Sequence, residues 1–363
     1  MKVFLIAGAR PNFMKIAPVY RAALKHDEVE CRIVHTGQHY DYEMSQKFFE
    51  DLELPEPHFF MDAGSGSHAV QTSKIMVAFE EICVTEKPDL VIVVGDVNST
   101  LACSVVAKKL MIEVAHVEAG LRSFDLTMPE EINRMVTDSI SDYFFVTEES
   151  GIRNLLKEGK PEGSVHFVGH VMIDNLLYQA KQLDNGNLRK FSSFELKQEH
   201  KDYAFLTLHR PSNVDSKACF EEIAGALNNI AEDMPIFFPV HPRTRKMMDQ
   251  FNIAFSGNVI LLSPLGFKES LFLWKDARVV LTDSGGLQEE TTAMGVPCVT
   301  IRENTERPIT IEMGSNVLGG TKKDSILKAY RKSVARNKKI YRVPPQWDGR
   351  AAERIWEILL KVD

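Results

Sequence analysis

The chain has 363 residues, 44% hydrophobic and 26% charged, an ordinary globular composition that excludes a disordered or fibrous protein. Its length suits two domains better than one or three. Forty-three Lys plus Arg against 50 Asp plus Glu leave a formal charge of −7, the wrong balance for a general nucleic-acid partner, while a local basic pocket for one small anion stays open.

In chain order, Met1–Ile6 runs straight into a Gly-containing turn with no cleavable small-residue site, and reads as a first strand rather than a signal peptide. Strands are expected at 3–7, 32–36, 90–95, 114–117, 143–146 and 166–168, with amphipathic helices such as 73–86 and 100–110 between them. The same rhythm recurs at 203–208, 236–240, 259–262, 278–282 and 298–301. The longest apolar runs, such as Leu90–Val94, are strand-length and far short of a membrane span. Continuous apolar strands alternating with helices predict parallel sheets covered on both faces. The expected fold class is therefore α/β, with two Rossmann-like domains facing each other across a cleft. The hinge is placed near residue 170, giving domains 1–170 and 171–348, and the closing helix at 349–363 is open to packing on either. Cys31, Cys83, Cys103, Cys219 and Cys298 are odd in number and never spaced C-x-x-C. That pattern predicts a reducing, cytoplasmic compartment, with neither a disulfide framework nor a structural zinc site.

The first strand ends in Gly8-Ala9-Arg10-Pro11-Asn12-Phe13-Met14-Lys15. Gly8 permits a tight turn and Pro11 suits a first helical turn. Arg10 and Lys15 oppose the helix dipole there, so an anion opposite them is the favoured reading over a solvated surface turn. Gly64-Ser65-Gly66-Ser67-His68-Ala69 fits a loose dinucleotide-binding pattern. It lies outside a first βαβ unit and lacks a suitably placed acid, so it is read as a polar loop. Asp96, just past the strand at 90–95, stands where open parallel sheets place ligands, with Asn98 and Ser99 better placed to cap the next helix. Glu118 holds the equivalent position one strand on, and a salt bridge to Arg122 is its bland alternative. His116 and Glu118 echo the H-x-E of zinc deaminases, but no P-C-x-x-C follows. Thr127-Met128-Pro129-Glu130 reads equally as a capping box and as the setting of a catalytic acid, Glu130, with Glu131 the solvated neighbour. Three carboxylates on separate loops, with Arg10 and Lys15 to hand, suit proton transfer beside a phosphorylated leaving group.

In the second half, His209-Arg210-Pro211 and His241-Pro242-Arg243 each follow a strand, which points to an anionic ligand. The strongest local signal is Thr282-Asp283-Ser284-Gly285-Gly286-Leu287-Gln288-Glu289-Glu290. A strand runs through a Ser-Gly-Gly turn into a helix and offers backbone N–H groups to a phosphate. It is not a P-loop, so nucleotide hydrolysis has no support. Glu290, one turn on, suits a diol such as ribose. Arg302 and Arg307 add positive charge, unless Glu303 and Glu306 make them ordinary surface arginines.

Together the stretches 8–18, 95–100, 116–122, 129–134, 209–210, 241–242, 283–290 and 305–308 resemble the non-hydrolysing UDP-N-acetylglucosamine 2-epimerases, in order and over nearly the whole chain. The resemblance implies a GT-B-like fold with UDP held mainly by the second domain, a homodimer, and no metal or redox cofactor. It also implies interconversion of UDP-GlcNAc and UDP-ManNAc by elimination and re-addition of UDP, supplying surface polysaccharide precursors. Arg10, Lys15, Asp96, Glu118, Glu130, His209, Ser284, Gly285, Gly286, Glu290 and Arg307 match the residue types expected at functional positions. Asp96, Glu118, Glu130 and His209 would do the catalytic work, and Arg10, Lys15, His241, Ser284–Gly286, Glu290 and Arg307 would bind substrate. Ala9 and Asn12 replace Thr and Glu of the usual first turn. The loop after Gln38-His39 carries Asp41 and Glu43, where members with a second, activating UDP-sugar are more basic. The departures leave open epimerisation of a modified sugar such as a UDP-2,3-diacetamido-glucuronate. A glycosyltransferase on the same fold is a further alternative, one that would have no obvious use for three acids around C2.

Overall fold

The computed structural model describes residues 1–37, 49, 52–64, 66–335 and 341–361, apart from the side chains of Arg10 and Pro11. The first sheet contains β1 (Lys2–Ala7), β2 (Glu30–His35), β3 (Phe59–Phe60), β4 (Leu90–Val94), β5 (Glu113–Val117), β6 (Tyr143–Val146) and β7 (Val165–Phe167), in the order β3-β2-β1-β4-β5-β6-β7. The second contains β8 (Ala204–Thr207), β9 (Ile236–Pro239), β10 (Val259–Leu262), β11 (Val279–Thr282), β12 (Cys298–Thr300) and β13 (Asn316–Leu318), in the order β10-β9-β8-β11-β12-β13. Every pairing is parallel. The central strands explain why. β4 reads Leu-Val-Ile-Val-Val and is buried at all five positions, which only a sheet covered by helices on both faces permits. Two strands are absent from the sequence expectation. β3 is two residues long with Phe60 exposed, and β13 opens on a buried Asn316, so neither carries an apolar run.

The chain divides into two compact units, 1–177 with 345–363, and 178–344. The division falls inside the helix Val171–Asn185 rather than at 170. The first turns of that helix belong to the first unit for a physical reason: Val171, Ile173 and Leu176 are fully buried, and the Asp174 carboxylate accepts the backbone N–H groups of Ala351 and Ala352 at 3.1 and 2.7 Å. Asp174 thus caps the closing helix Ala351–Leu359. Burial raises its carboxyl pKa to about 6. From the same helix Trp356, fully buried, donates its indole N–H to the Val19 carbonyl at 2.8 Å. Among the described residues no helix is long and apolar enough to cross a membrane.

Candidate active site

Each sheet has one place where strand order reverses, β1 against β4 in the first and β8 against β11 in the second. The crevice beyond the carboxyl ends of such a strand pair is where open α/β sheets bind ligands. Most sequence-derived candidates lie at these two places.

In the first unit, β1 leads through Gly8 into the helix Arg10–Ala23. A Cβ on Gly8 would lie 2.0 Å from Ser99 Oγ, so glycine is forced by close approach of the helix Asn98–Lys109. Asn12 stitches the two strand ends together: its amide donates to the Val94 carbonyl at 3.0 Å and its carbonyl accepts the Ala9 N–H at 3.0 Å. Three residues on, Lys15 forms an ion pair with Glu118, whose side chain is 4% exposed. Lys15 is therefore engaged with a carboxylate rather than standing free for an anion. Glu118 sits just past β5 with φ of 70°, a left-handed conformation that turns the chain at the strand end. Gly95 packs against the pair, since a Cβ there would lie 2.9 Å from Lys15 Nζ and 3.3 Å from Glu118 Oε2. Arg10 opens the helix at this turn, but its side chain lies outside the described residues.

The Glu118–Arg122 salt bridge does not form. Arg122 pairs instead with the fully buried Asp138 at 2.7 Å and with Glu158 at 2.7 Å. Asp138 also receives the Gly120 N–H at 3.0 Å and meets His116 Nδ1 at 2.6 Å, while His116 Nε2 faces the Gly95 carbonyl at 2.9 Å. Burial opposes the Asp138 charge, but His116 and Arg122 outweigh it and hold the carboxyl below the usual carboxylate range. His116 thus braces the loops that carry Asp96 and Glu118.

Asp96, partly exposed, faces the Arg134 guanidinium at 3.3 Å, and Arg134 in turn pairs with Glu131 at 2.9 Å. Asn98 and Ser99 are inside the helix and do not cap it; its N-cap is Val97, without a side-chain bond. The capping box at Thr127–Glu130 is absent too. The helix Pro129–Ile140 starts after Met128 with no side-chain cap, and Thr127 bonds Asp125 instead. The two glutamates exchange their expected settings: Glu130 is exposed, and Glu131, 1% exposed, accepts the N–H groups of Ser123 and Phe124 at 3.0 Å each. The loop at 121–128 folds back over the helix start and captures Glu131, which local spacing does not reveal.

In the second unit, His209 follows β8 and Asp283 follows β11, side by side at the reversal. His209 Nδ1 lies 2.9 Å from Asp283 Oδ1. The Asp283 carboxylate is wholly buried and accepts the backbone N–H groups of His209 and Arg210 at 2.9 and 2.8 Å. His241 is exposed and its ring centroid is 5.8 Å from that of His209. Its Nδ1 accepts the Arg243 N–H and so caps the helix Pro242–Phe251. Burial lowers the His241 pKa, with His209 and Arg243 contributing.

Ser284 is the N-cap of the helix Gly285–Met294. Among the described residues, no atom beyond its chain neighbours and its own helix's backbone lies within 4 Å of where a Cβ on Gly285 would stand. The glycine is not demanded by the protein's own packing, which suits a helix N-terminus left open to an anion. Burial raises the Glu290 carboxyl pKa to about 8, with Glu289 adding repulsion. Arg307 is held by Glu289 at 2.6 Å and Arg302 by Glu306 at 3.0 Å, so both arginines have acidic partners. Gln288, fully buried and unremarked in the sequence, ties this helix to the arginine loop: its carbonyl accepts from Thr305 Oγ1 at 2.6 Å and from Asn316 at 3.3 Å. The residues at 38–43, considered for an activator, lie outside the described set.

Two all-parallel units with chemistry at their reversal points make this a GT-B-like α/β enzyme. A model of the UDP-N-acetylglucosamine 2-epimerase family matches residues 21–360, and the chain belongs to that family, a family of isomerases. It is 43% identical to the UDP-N-acetylglucosamine 2-epimerase of Methanocaldococcus jannaschii, with 99% of each chain covered. It is 38% identical to the UDP-2,3-diacetamido-2,3-dideoxy-D-glucuronate 2-epimerase of Pseudomonas aeruginosa, with both covered in full. The crystal structure of the M. jannaschii UDP-GlcNAc 2-epimerase in complex with UDP-GlcNAc and UDP matches with a TM-score of 0.85 at 41% identity, covering 99% of each chain.

Proposed function

We propose that this chain interconverts UDP-GlcNAc and UDP-ManNAc by eliminating UDP across C1–C2 and re-adding it at C1 of the resulting glycal, with the proton returned to the opposite face of C2. The observation that carries this reading is the pair of carboxylates, Asp96 and Glu118, at adjacent strand ends beside the first reversal point. The C2 proton of an N-acetylhexosamine is weakly acidic, so catalysis needs carboxylates at C2 and positive charge with N–H donors around the departing diphosphate. In this reading Asp96, Glu118 and Glu130 handle protons at the sugar. Arg10, His241 and the Ser284–Gly286 turn hold the diphosphate, with Arg307 adding charge, and Glu290 takes the ribose diol. Lys15 stays paired with Glu118, and His209 presents its ring to the reacting sugar. The second unit then binds most of the UDP. The enzyme works without metal or redox cofactor, as a cytoplasmic homodimer feeding surface polysaccharide synthesis.

NMR of UDP-GlcNAc incubated with the enzyme in deuterium oxide tests the proposal, with UDP-ManNAc and deuterium at C2 as the expected result. Absence of C2 exchange in any UDP-hexosamine overturns it. The full-length likeness to the P. aeruginosa enzyme supports a second reading, 2-epimerisation of a UDP-2,3-diacetamido-2,3-dideoxy-glucuronate. Parallel assays on both sugars separate the two. Light scattering behind a sizing column tests the dimer.

A further inference from the structure

We infer that Asp283 is a positioning residue that fixes which nitrogen of His209 is offered to the UDP-sugar. The inference rests on the proposed epimerase reading for its catalytic consequence, but on geometry alone for the pairing.

The two oxygens of Asp283 are differently occupied. Oδ2 accepts three donors: the backbone N–H of His209 at 2.9 Å, that of Arg210 at 2.8 Å and the side-chain amide of Asn213 at 3.2 Å. Asn213, 1% exposed, is itself anchored by donating to the Ile301 carbonyl at 2.8 Å. Oδ1 faces His209 Nδ1 at 2.9 Å and makes only a longer 3.2 Å contact with the His209 N–H. The carboxylate is fully buried, so it cannot swing away, and its free lone pair is aimed at one ring nitrogen. A carboxylate is an acceptor only. Nδ1 must therefore carry a proton, and Nε2 is left as acceptor in the neutral ring and donor in the charged one.

His241 shows that this assignment is specific to His209. Its Nδ1 accepts the Arg243 N–H at 3.2 Å, which places the proton of the neutral ring on Nε2. Two imidazoles, 5.8 Å apart between ring centroids, are thus set in opposite tautomers by their own partners. One presents a lone pair and the other a donor. Two functional groups come from one residue type because a different neighbour holds each ring.

The test uses the full-length protein labelled with 15N-histidine, wild type and the variants D283N, H209Q and D283N/H209Q. Ligand-free wild type should show the neutral His209 ring protonated at Nδ1. In D283N the amide N–H faces Nδ1 and the proton moves to Nε2. The kcat of D283N should fall by about 100-fold or more, as expected when an imidazole is held in the wrong tautomer, with KM and UDP affinity within about threefold of wild type. Added to H209Q, D283N should cost less than about threefold, since Asp283 acts through a ring no longer present. A wild-type ring protonated at Nε2 overturns the inference without any variant. So does a loss of kcat that multiplies in the double variant, or a fall in UDP affinity matching the fall in kcat. If D283N fails to fold, the wild-type spectrum still decides. If wild type turns over no UDP-sugar, the epimerase reading fails while the ring spectrum independently tests the pairing.

Discussion

Lys15 and Glu118, 103 residues apart in the chain, form a buried ion pair where the helix Arg10–Ala23 meets the turn after β5 beside Gly95. Neither group is well solvated, so removing one partner leaves the other without this compensation. Glu118→Gln should destabilise the first unit by about 3 kcal/mol, because it strands the Lys15 ammonium. Lys15→Met/Glu118→Gln should regain most of that loss, since both charges are then gone. Urea unfolding of the two variants beside wild type measures the difference, and neither variant should retain epimerase turnover.

Glu290 predicts a pH dependence of stability. Its folded pKa of about 8 lies above the ordinary glutamate value, so the folded protein favours the neutral acid. The stability it contributes is fully present below the unfolded pKa of 4.5 and is lost as pH rises toward 8. Glu290→Gln should flatten that decline and leave the second unit more stable than wild type at pH 8 to 9, while weakening UDP. Thermal melts across the range, with calorimetry for UDP, check both parts.

Gly285→Ala separates ligand binding from packing. Beyond its own helix and chain neighbours the added methyl meets no described atom, and alanine is the better helix residue, so stability should rise by about 0.5 kcal/mol. UDP affinity should fall about tenfold, because the space the methyl fills is the space a phosphate needs against the helix N-terminus. Calorimetric titration of a variant whose melting temperature is unchanged or raised decides it.

Asp96→Asn should abolish C2 exchange while leaving UDP affinity within about twofold of wild type, since the proposed work of Asp96 is at the sugar. Its partner Arg134 remains held by Glu131, so the loop should keep its place. A large loss of UDP affinity in this variant would contradict the division of labour between the units.

Much of the framework was legible because buried parallel strands are written as unbroken apolar runs, as in β4 and β11. The reversal-point acids could be picked out because they immediately follow such runs. What local spacing hid was partnership. Thr127 and Glu130 satisfy the capping pattern, yet Asp125 takes Thr127 and a returning loop takes Glu131. Arg122 stands four residues from Glu118 but pairs with Asp138 and Glu158 instead. Asp283 was readable in principle, as it occupies in the second sheet the place that Asp96 occupies in the first.

The return of residues 345–363 to the first unit imposes an order on assembly. During synthesis the sheet β1–β7 emerges early, but the buried indole of Trp356 that bonds the Val19 carbonyl is made only after the whole second unit. The second unit is a continuous segment and can close on itself as soon as it leaves the ribosome. The first must wait, its apolar surface along the helix Arg10–Ala23 uncovered until the segment from Pro345 onward arrives. A nascent chain stalled before Ala351 therefore carries one finished unit and one unsealed, and the unsealed one is where chaperones and proteases would find their grip.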